Sequence, residues 1–325
     1  MRRRRYLQAV STTAAALSLT GCTGEGGDGN AQADDDTDTS ADGGNRQVDA
    51  AIATAVGELN TAVGELDAAQ TRFAEDRSVE FEGVADRVET ARSELDNAEP
   101  DASDDQRAAI EEVRAYAAVV AAMNDAFLTL VDAEDGIETV QSAVESEAYD
   151  RAGDLVDDLS TETGDARSTL GGASDAAEGL DADTLESRDS VEITKVRDGY
   201  DQLTALAAGF DALATVYGDL TDGLAALAEG RAHADESDYS AAAESFGDAE
   251  ASFDAGTATA TDALDASPPE RVAAELRALS CRGGHLSTAA GHFRASAEAA
   301  ADRDWSTARE EREAAEDALD AVTEC

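Results

Sequence analysis

Residues 203–227 read LTALAAGFDALATVYGDLTDGLAAL, and in them Leu203, Leu206, Phe210, Leu213, Tyr217, Leu220, Leu224 and Leu227 recur at steps of three and four. At 3.6 residues per turn such steps line up as one stripe on a helix. A stripe kept over this length is the seam along which long helices pack, as in a coiled coil. The same rhythm extends to both sides. Towards the N-terminus it runs through Ile52, Val56, Leu59, Val63, Leu66 and Phe73, then Val84, Val88 and Leu95 up to Glu99-Pro100. After the polar restart at Asp101-Ala102-Ser103-Asp104-Asp105 it passes from Val113 to Val144, interrupted at one step by Glu134. A fourth helix runs from Tyr149 to Ala177, with Gly171-Gly172 read as a kink, and the quoted stretch belongs to a fifth spanning about Leu185 to Asp235. A sixth starts near Asp238 and stops before Ser267-Pro268-Pro269. The seventh begins at that proline pair, since Pro suits a first helical turn, and the eighth runs from Asp304 to the end. Short polar turns near residues 76, 147, 237 and 303 join these helices in pairs. The reading is an all-α, elongated bundle of about eight helices in four αα-hairpins, with coiled-coil-like heptad seams.

Composition agrees. The chain has 325 residues, of which 42% are hydrophobic and only 4% aromatic. Ala, Leu, Glu and Arg favour helix, and Ala, Asp, Glu and Gly are poor strand formers. Acidic residues number 72 against 24 basic, a formal net charge of −48. Nucleic acid is therefore excluded as a partner, because one polyanion would meet another. Lys195 is the only lysine. Acid excess with arginine in place of lysine resembles the proteins of halophilic archaea. At 1 M salt the Debye length is about 3 Å, and self-repulsion of such a surface is screened.

The turns carry a weak internal repeat. Phe81-x-x-Val84, Tyr149-x-x-Ala152, Tyr239-x-x-Ala242 and Trp305-x-x-Ala308 each open a returning helix, pairing an aromatic with a small residue one turn on. The fullest copy, from Gly230 through Tyr239, Ala242, Phe246 and Ala249, resembles a tetratricopeptide-repeat hairpin. The resemblance implies that Gly230 sits at the helix crossing and that the other four fill the core of the second helix. It covers about 30 residues well. The copies lie roughly 66 to 90 residues apart instead of about 34, and Arg312 stands where the pattern asks for an apolar residue.

The N-terminus reads as an address and an anchor. Arg2–Arg5 form a basic segment and Ala9–Thr20 a short apolar one, too short for a bilayer span of about 20 residues. Arg3-Arg4-Arg5-Tyr6-Leu7 resembles a twin-arginine export motif, with Arg3 and Arg4 as its pair. Leu19-Thr20-Gly21-Cys22 resembles a lipobox, which implies cleavage before Cys22 and lipid on its thiol. Residues 1–21 are thus read as signal peptide, and residues 22–46 as the lipidated cysteine with a disordered, solvated acidic and Gly-rich tether. Residues 47–99 form the first hairpin and residues 100–325 a bundle of three long ones.

No constellation for catalysis emerges. His285 and His292 are two turns apart, too far to share a zinc ion, and no Gly-x-Ser-x-Gly or Gly-x-x-x-x-Gly-Lys element occurs. Carboxylate pairs are background among 72 acids. No enzyme, cofactor, metal site or small-molecule ligand is expected. With Cys22 lipidated, Cys281 and Cys325 remain as an even pair in an exported protein, where oxidation is permitted. Residue 303, in a turn, lies midway between them, so antiparallel helices would bring both to one level. The sequence points to a lipid-anchored helical protein on the outer face of the cell membrane, binding a protein partner or acting as scaffold. The alternative is a solute- or cation-binding lipoprotein receptor serving a transporter, which would need a cleft between two α/β lobes.

Overall fold

In the computed structural model the quoted seam lies in one helix, Ile193–Asp235, and every member except Leu206 and Leu224 is buried. The structure describes residues 39–75, 83–181, 185 and 193–325. Arg3, Arg4, Cys22, most of the tether and Phe81 lie outside them. The described residues form eight helices and hold no strand: α1 Thr39–Glu75, α2 Val84–Ala98, α3 Asp104–Glu145, α4 Tyr149–Gly179, α5 Ile193–Asp235, α6 Tyr239–Asp265, α7 Glu270–Ala301 and α8 Trp305–Ala321. At 1.5 Å per residue, the 43 residues of α5 extend about 65 Å.

Each helix from α3 onward packs on the one that follows it, and α5 also touches both α3 and α7. The odd helices α3, α5 and α7 therefore form one layer, and the even helices fill the spaces between them. Polar contacts tie α1 and α2 to this stack. Arg87 of α2 bridges Glu58 and Glu65 of α1 at 2.8 and 2.9 Å, and Arg114 of α3 reaches Asp96 and Glu99. Ser103 opens α3 with a capping box. Its hydroxyl accepts from the Gln106 N–H, while the Gln106 side chain accepts from the Ser103 N–H. The Gln106 amide then donates to the Asn45 carbonyl at 2.8 Å, fixing the start of α3 against α1.

Three details bear on the sequence reading. Helix α1 begins at Thr39, inside the stretch assigned to the tether. Helix α4 is continuous through Gly171-Gly172, where a kink is expected. Glu134, which interrupts the α3 seam, is nevertheless buried in it, at 6% exposure. Helix α3 is long and apolar enough to cross a membrane, but its apolar face is core: Tyr116, Val119, Val120, Phe127 and Leu130 are all fully buried.

Close helix crossings depend on glycine. A β-carbon on Gly223 of α5 would lie 2.5 Å from the Phe253 ring of α6, itself fully buried. Gly284 of α7 has nothing within 4 Å of that position. Gly223→Ala should therefore destabilise by about 1–3 kcal/mol through overpacking. Gly284→Ala should gain about 0.5–1 kcal/mol by helix propensity. Urea denaturation midpoints of the two variants, shifted in opposite directions from the parent, are the expected result.

Candidate functional site

Three hairpin turns are built alike. In each, a helix ends in a Schellman motif whose left-handed residue is not glycine: Glu147, Ser237 and Arg303, with φ of 59°, 67° and 62°. Their N–H groups donate to the carbonyls of Val144, Ala234 and Ala300, and the next N–H reaches back to Ala143, His233 and Ala299. That next residue, Ala148, Asp238 or Asp304, is also the N-cap of the returning helix. Asp238 and Asp304 accept from the N–H groups of Ala241 and Thr307. The Thr307 hydroxyl and N–H hold the Asp304 carboxyl below its ordinary pKa.

One residue beyond each cap stand Tyr149, Tyr239 and Trp305, the aromatics of the repeat. The small partner one turn on is buried in every copy, with Ala152 and Ala242 fully enclosed and Ala308 at 9% exposure. In the second copy Phe246 lies against Gly230, where a β-carbon would be 2.6 Å from its ring, and Ala249 is fully buried. Phe246 also stacks on Phe293 of α7 at 5.3 Å between ring centres. Arg312 holds the matching position in α8. Among the described residues no helix packs on that face, and the Arg312 side chain is exposed there.

The last two hairpins meet at their turns. Trp305 contacts Tyr239 edge to face at 5.9 Å yet remains 58% exposed. Beside the pair opens a groove of about 430 Å³, floored by Phe246, Phe293 and Ala297 and edged by Arg231, Arg309 and Arg312, with Asp235 as its one acid. The Arg231 guanidinium lies over the Phe293 ring at 5.2 Å. Arg312 has a loose contact with Glu316 at 3.6 Å, and Arg231 and Arg309 make no ion pair among the described residues. The groove offers flat apolar surface beside guanidinium forks, which suits an apolar group next to carboxylates.

Two other clefts have a different character. One of about 710 Å³ between α4 and α5 carries Arg167 and Arg197 against Glu178 and Asp201. Both arginines are occupied, Arg167 by Asp211 and Arg197 by the Ala177, Glu178 and Leu180 carbonyls at the end of α4. The second, about 250 Å³ at the junction of α3, α5 and α7, contains Glu134, Glu138 and Glu275 with Arg271. Here Glu134 pairs with Arg271, which also donates to the Phe73 carbonyl at 2.8 Å and lies 4.8 Å above the Phe73 ring. Gln141 donates to the Tyr217 hydroxyl, which donates to Glu275 at 2.6 Å. Burial pushes the Tyr217 phenol above its ordinary pKa, and the Glu275 carboxylate adds to the rise. This cluster knits helices together inside the stack.

Cys281 of α7 and Cys325 at the chain end are joined as a disulfide, with Cα atoms 5.9 Å apart. His285 lies one turn from Cys281, and its ring nitrogen is within 4.8 Å of both sulfurs. The nearness to Cys281 follows from the i, i+4 spacing, a signal present in the sequence, and the nearness to Cys325 from the disulfide. With the sulfurs bonded to each other, neither is a thiolate ligand.

Comparison with protein-family models, curated proteins and solved structures finds no match for this chain.

Proposed function

We propose that this chain is a lipid-anchored, non-catalytic helical protein on the outer face of the cell membrane of a halophile, binding a protein partner through its last two hairpins. The observation that carries the reading is the groove at Trp305, a large exposed aromatic framed by arginines on an otherwise acidic chain. The order of Arg3-Arg4, a short apolar run and Leu19-Thr20-Gly21-Cys22 supports export and anchoring. Helices packed on helices favour a binding or scaffold role over a two-lobed solute receptor.

The test has two parts. Cys22→Ser should move the protein from the membrane to the soluble fraction or leave the precursor unprocessed. Membrane retention equal to that of the parent would end the lipoprotein reading. Because Lys195 is the only lysine, amine-directed cross-linkers are a poor choice. A photo-reactive amino acid at the exposed position Ser306 is the better probe. It should yield a discrete cross-linked protein in membranes, and absence of any adduct there and at Leu128, the other exposed large apolar residue among the described ones, would count against a binding role.

A further inference from the structure

The groove at Trp305 has a charge opposite to that of its chain. Its rim has three arginines and one aspartate, whereas the whole sequence has 24 basic residues and 72 acidic ones. The cleft between α4 and α5 is balanced and the one beside Arg271 is acidic, so the reversal is local. The exposed Trp305, the unpaired Arg309 and the charged substitution at Arg312 all converge on this one surface, although they belong to different turns of α8.

We propose that this groove docks an acidic peptide segment of a partner protein, with a large apolar side chain of that segment inserted between Trp305 and Phe293 and its flanking carboxylates held by Arg231, Arg309 and Arg312. The inference rests on the reading of the chain as a protein-binding module and adds the chemistry of its partner. Charge complementarity selects the occupant. A basic segment would be repelled at the rim while being drawn to almost any other part of this surface. An uncharged apolar segment would leave the guanidinium forks without acceptors. Arginine suits the role because its planar fork meets a carboxylate in two parallel hydrogen bonds. Such contacts act at hydrogen-bond distance, inside the roughly 3 Å Debye length of molar salt, where longer-range attraction is screened. Trp305 and the arginines are also the residue types that dominate protein interfaces when the centre of the patch excludes water.

Trp305 is the only tryptophan, so its emission reports this groove alone. The probes are blocked pentapeptides with a central Phe, Leu, Ile or Met flanked by Glu and Asp, titrated into the full chain at fixed salt. At least one should change Trp305 emission saturably. The double variant Arg309→Glu/Arg312→Glu should bind it at least about tenfold more weakly, equivalent to about 1.4 kcal/mol. Anisotropy of the labelled peptide gives a second readout, and circular dichroism shows whether the variant keeps its helices. Both substituted side chains are exposed on α8, so folding should be unaffected. Four outcomes would overturn the proposal: no saturable response to any of the peptides, equal binding of Lys-flanked counterparts, unchanged binding by the folded double variant, or a free aromatic carboxylate binding as tightly as the peptide. Self-association that buries Trp305 in place of peptide binding would also overturn it, assigning the groove to a second copy. If the peptides fail while the Ser306 cross-link succeeds, only the partner chemistry falls. If the peptides and the cross-links at both Ser306 and Leu128 fail, the binding role falls with it.

Discussion

Arg271→Ala is expected to destabilise the protein by about 3–5 kcal/mol, the usual loss when one partner of a buried ion pair is removed. Glu134 is 6% exposed and sits on the seam of α3, so without the guanidinium its carboxylate would be buried without its countercharge. The same substitution removes the hydrogen bond to the Phe73 carbonyl and the cation–π contact with the Phe73 ring, which tie α7 to the end of α1. Glu134→Leu combined with Arg271→Met removes both charges and keeps apolar bulk. That pair should recover most of the loss, because replacing a buried ion pair by packed apolar groups is commonly neutral or stabilising. Urea unfolding at fixed high salt provides the comparison. A single variant within about 1 kcal/mol of the parent would mean that water reaches Glu134 readily and that the pair is a surface one in effect.

Opening the Cys281–Cys325 bridge is expected to cost about 4 kcal/mol, the chain-entropy value for a loop of roughly this size. The two cysteines are 44 positions apart, and the loop between them spans the α7/α8 hairpin. Helix α8 has few other holds. Of its residues only Ala308 and Ala315 are buried, and it packs mainly on α7, with Trp305 also touching Tyr239 of α6. Cys281→Ser should therefore loosen α8 ahead of the rest, so amide exchange should quicken first between Trp305 and Ala321. Thiol titration of unreduced, denatured protein should find neither cysteine reactive. Two reactive groups at these positions, or exchange in α8 unaffected by Cys281→Ser, would contradict this account.

Much of the fold was legible because a three-four seam has one dominant solution, a helix with one buried face. Three of the four hairpin turns, near residues 147, 237 and 303, fall where polar residues interrupt the seam, and the aromatics beyond them mark the returning helices. The Cys281–Cys325 pairing was also reachable, since equal distance from a turn sets equal height on two antiparallel helices. The sites were harder. Glu134 stood out as a break in the pattern, yet its partner Arg271 depends on how α3 and α7 are brought together through the helices between them. Arg312 stood out as a departure from the repeat, but its place on the rim of a groove shared with other helices is not encoded by local spacing. The groove draws its lining from four helices, α5 to α8, so no single stretch of sequence carries its signature.

The shared geometry of the three turns has a bearing on how such a chain can change length over generations. Each of the three turns places a non-glycine residue in the αL conformation and the same back-bonded N–H groups before an aromatic, and two share an aspartate cap, so the points of entry into those two returning helices are interchangeable. A crossover between gene segments encoding Asp238-Tyr239 and Asp304-Trp305 would delete or duplicate one whole returning helix together with the outgoing helix after it. The junction would keep its aspartate cap and its aromatic. Helices could thus be gained or lost in pairs without a new turn having to be invented. At the position where Phe246 of α6 stacks on the next helix, α8 carries Arg312, so a copy added against that face would first have to convert the arginine to an apolar residue.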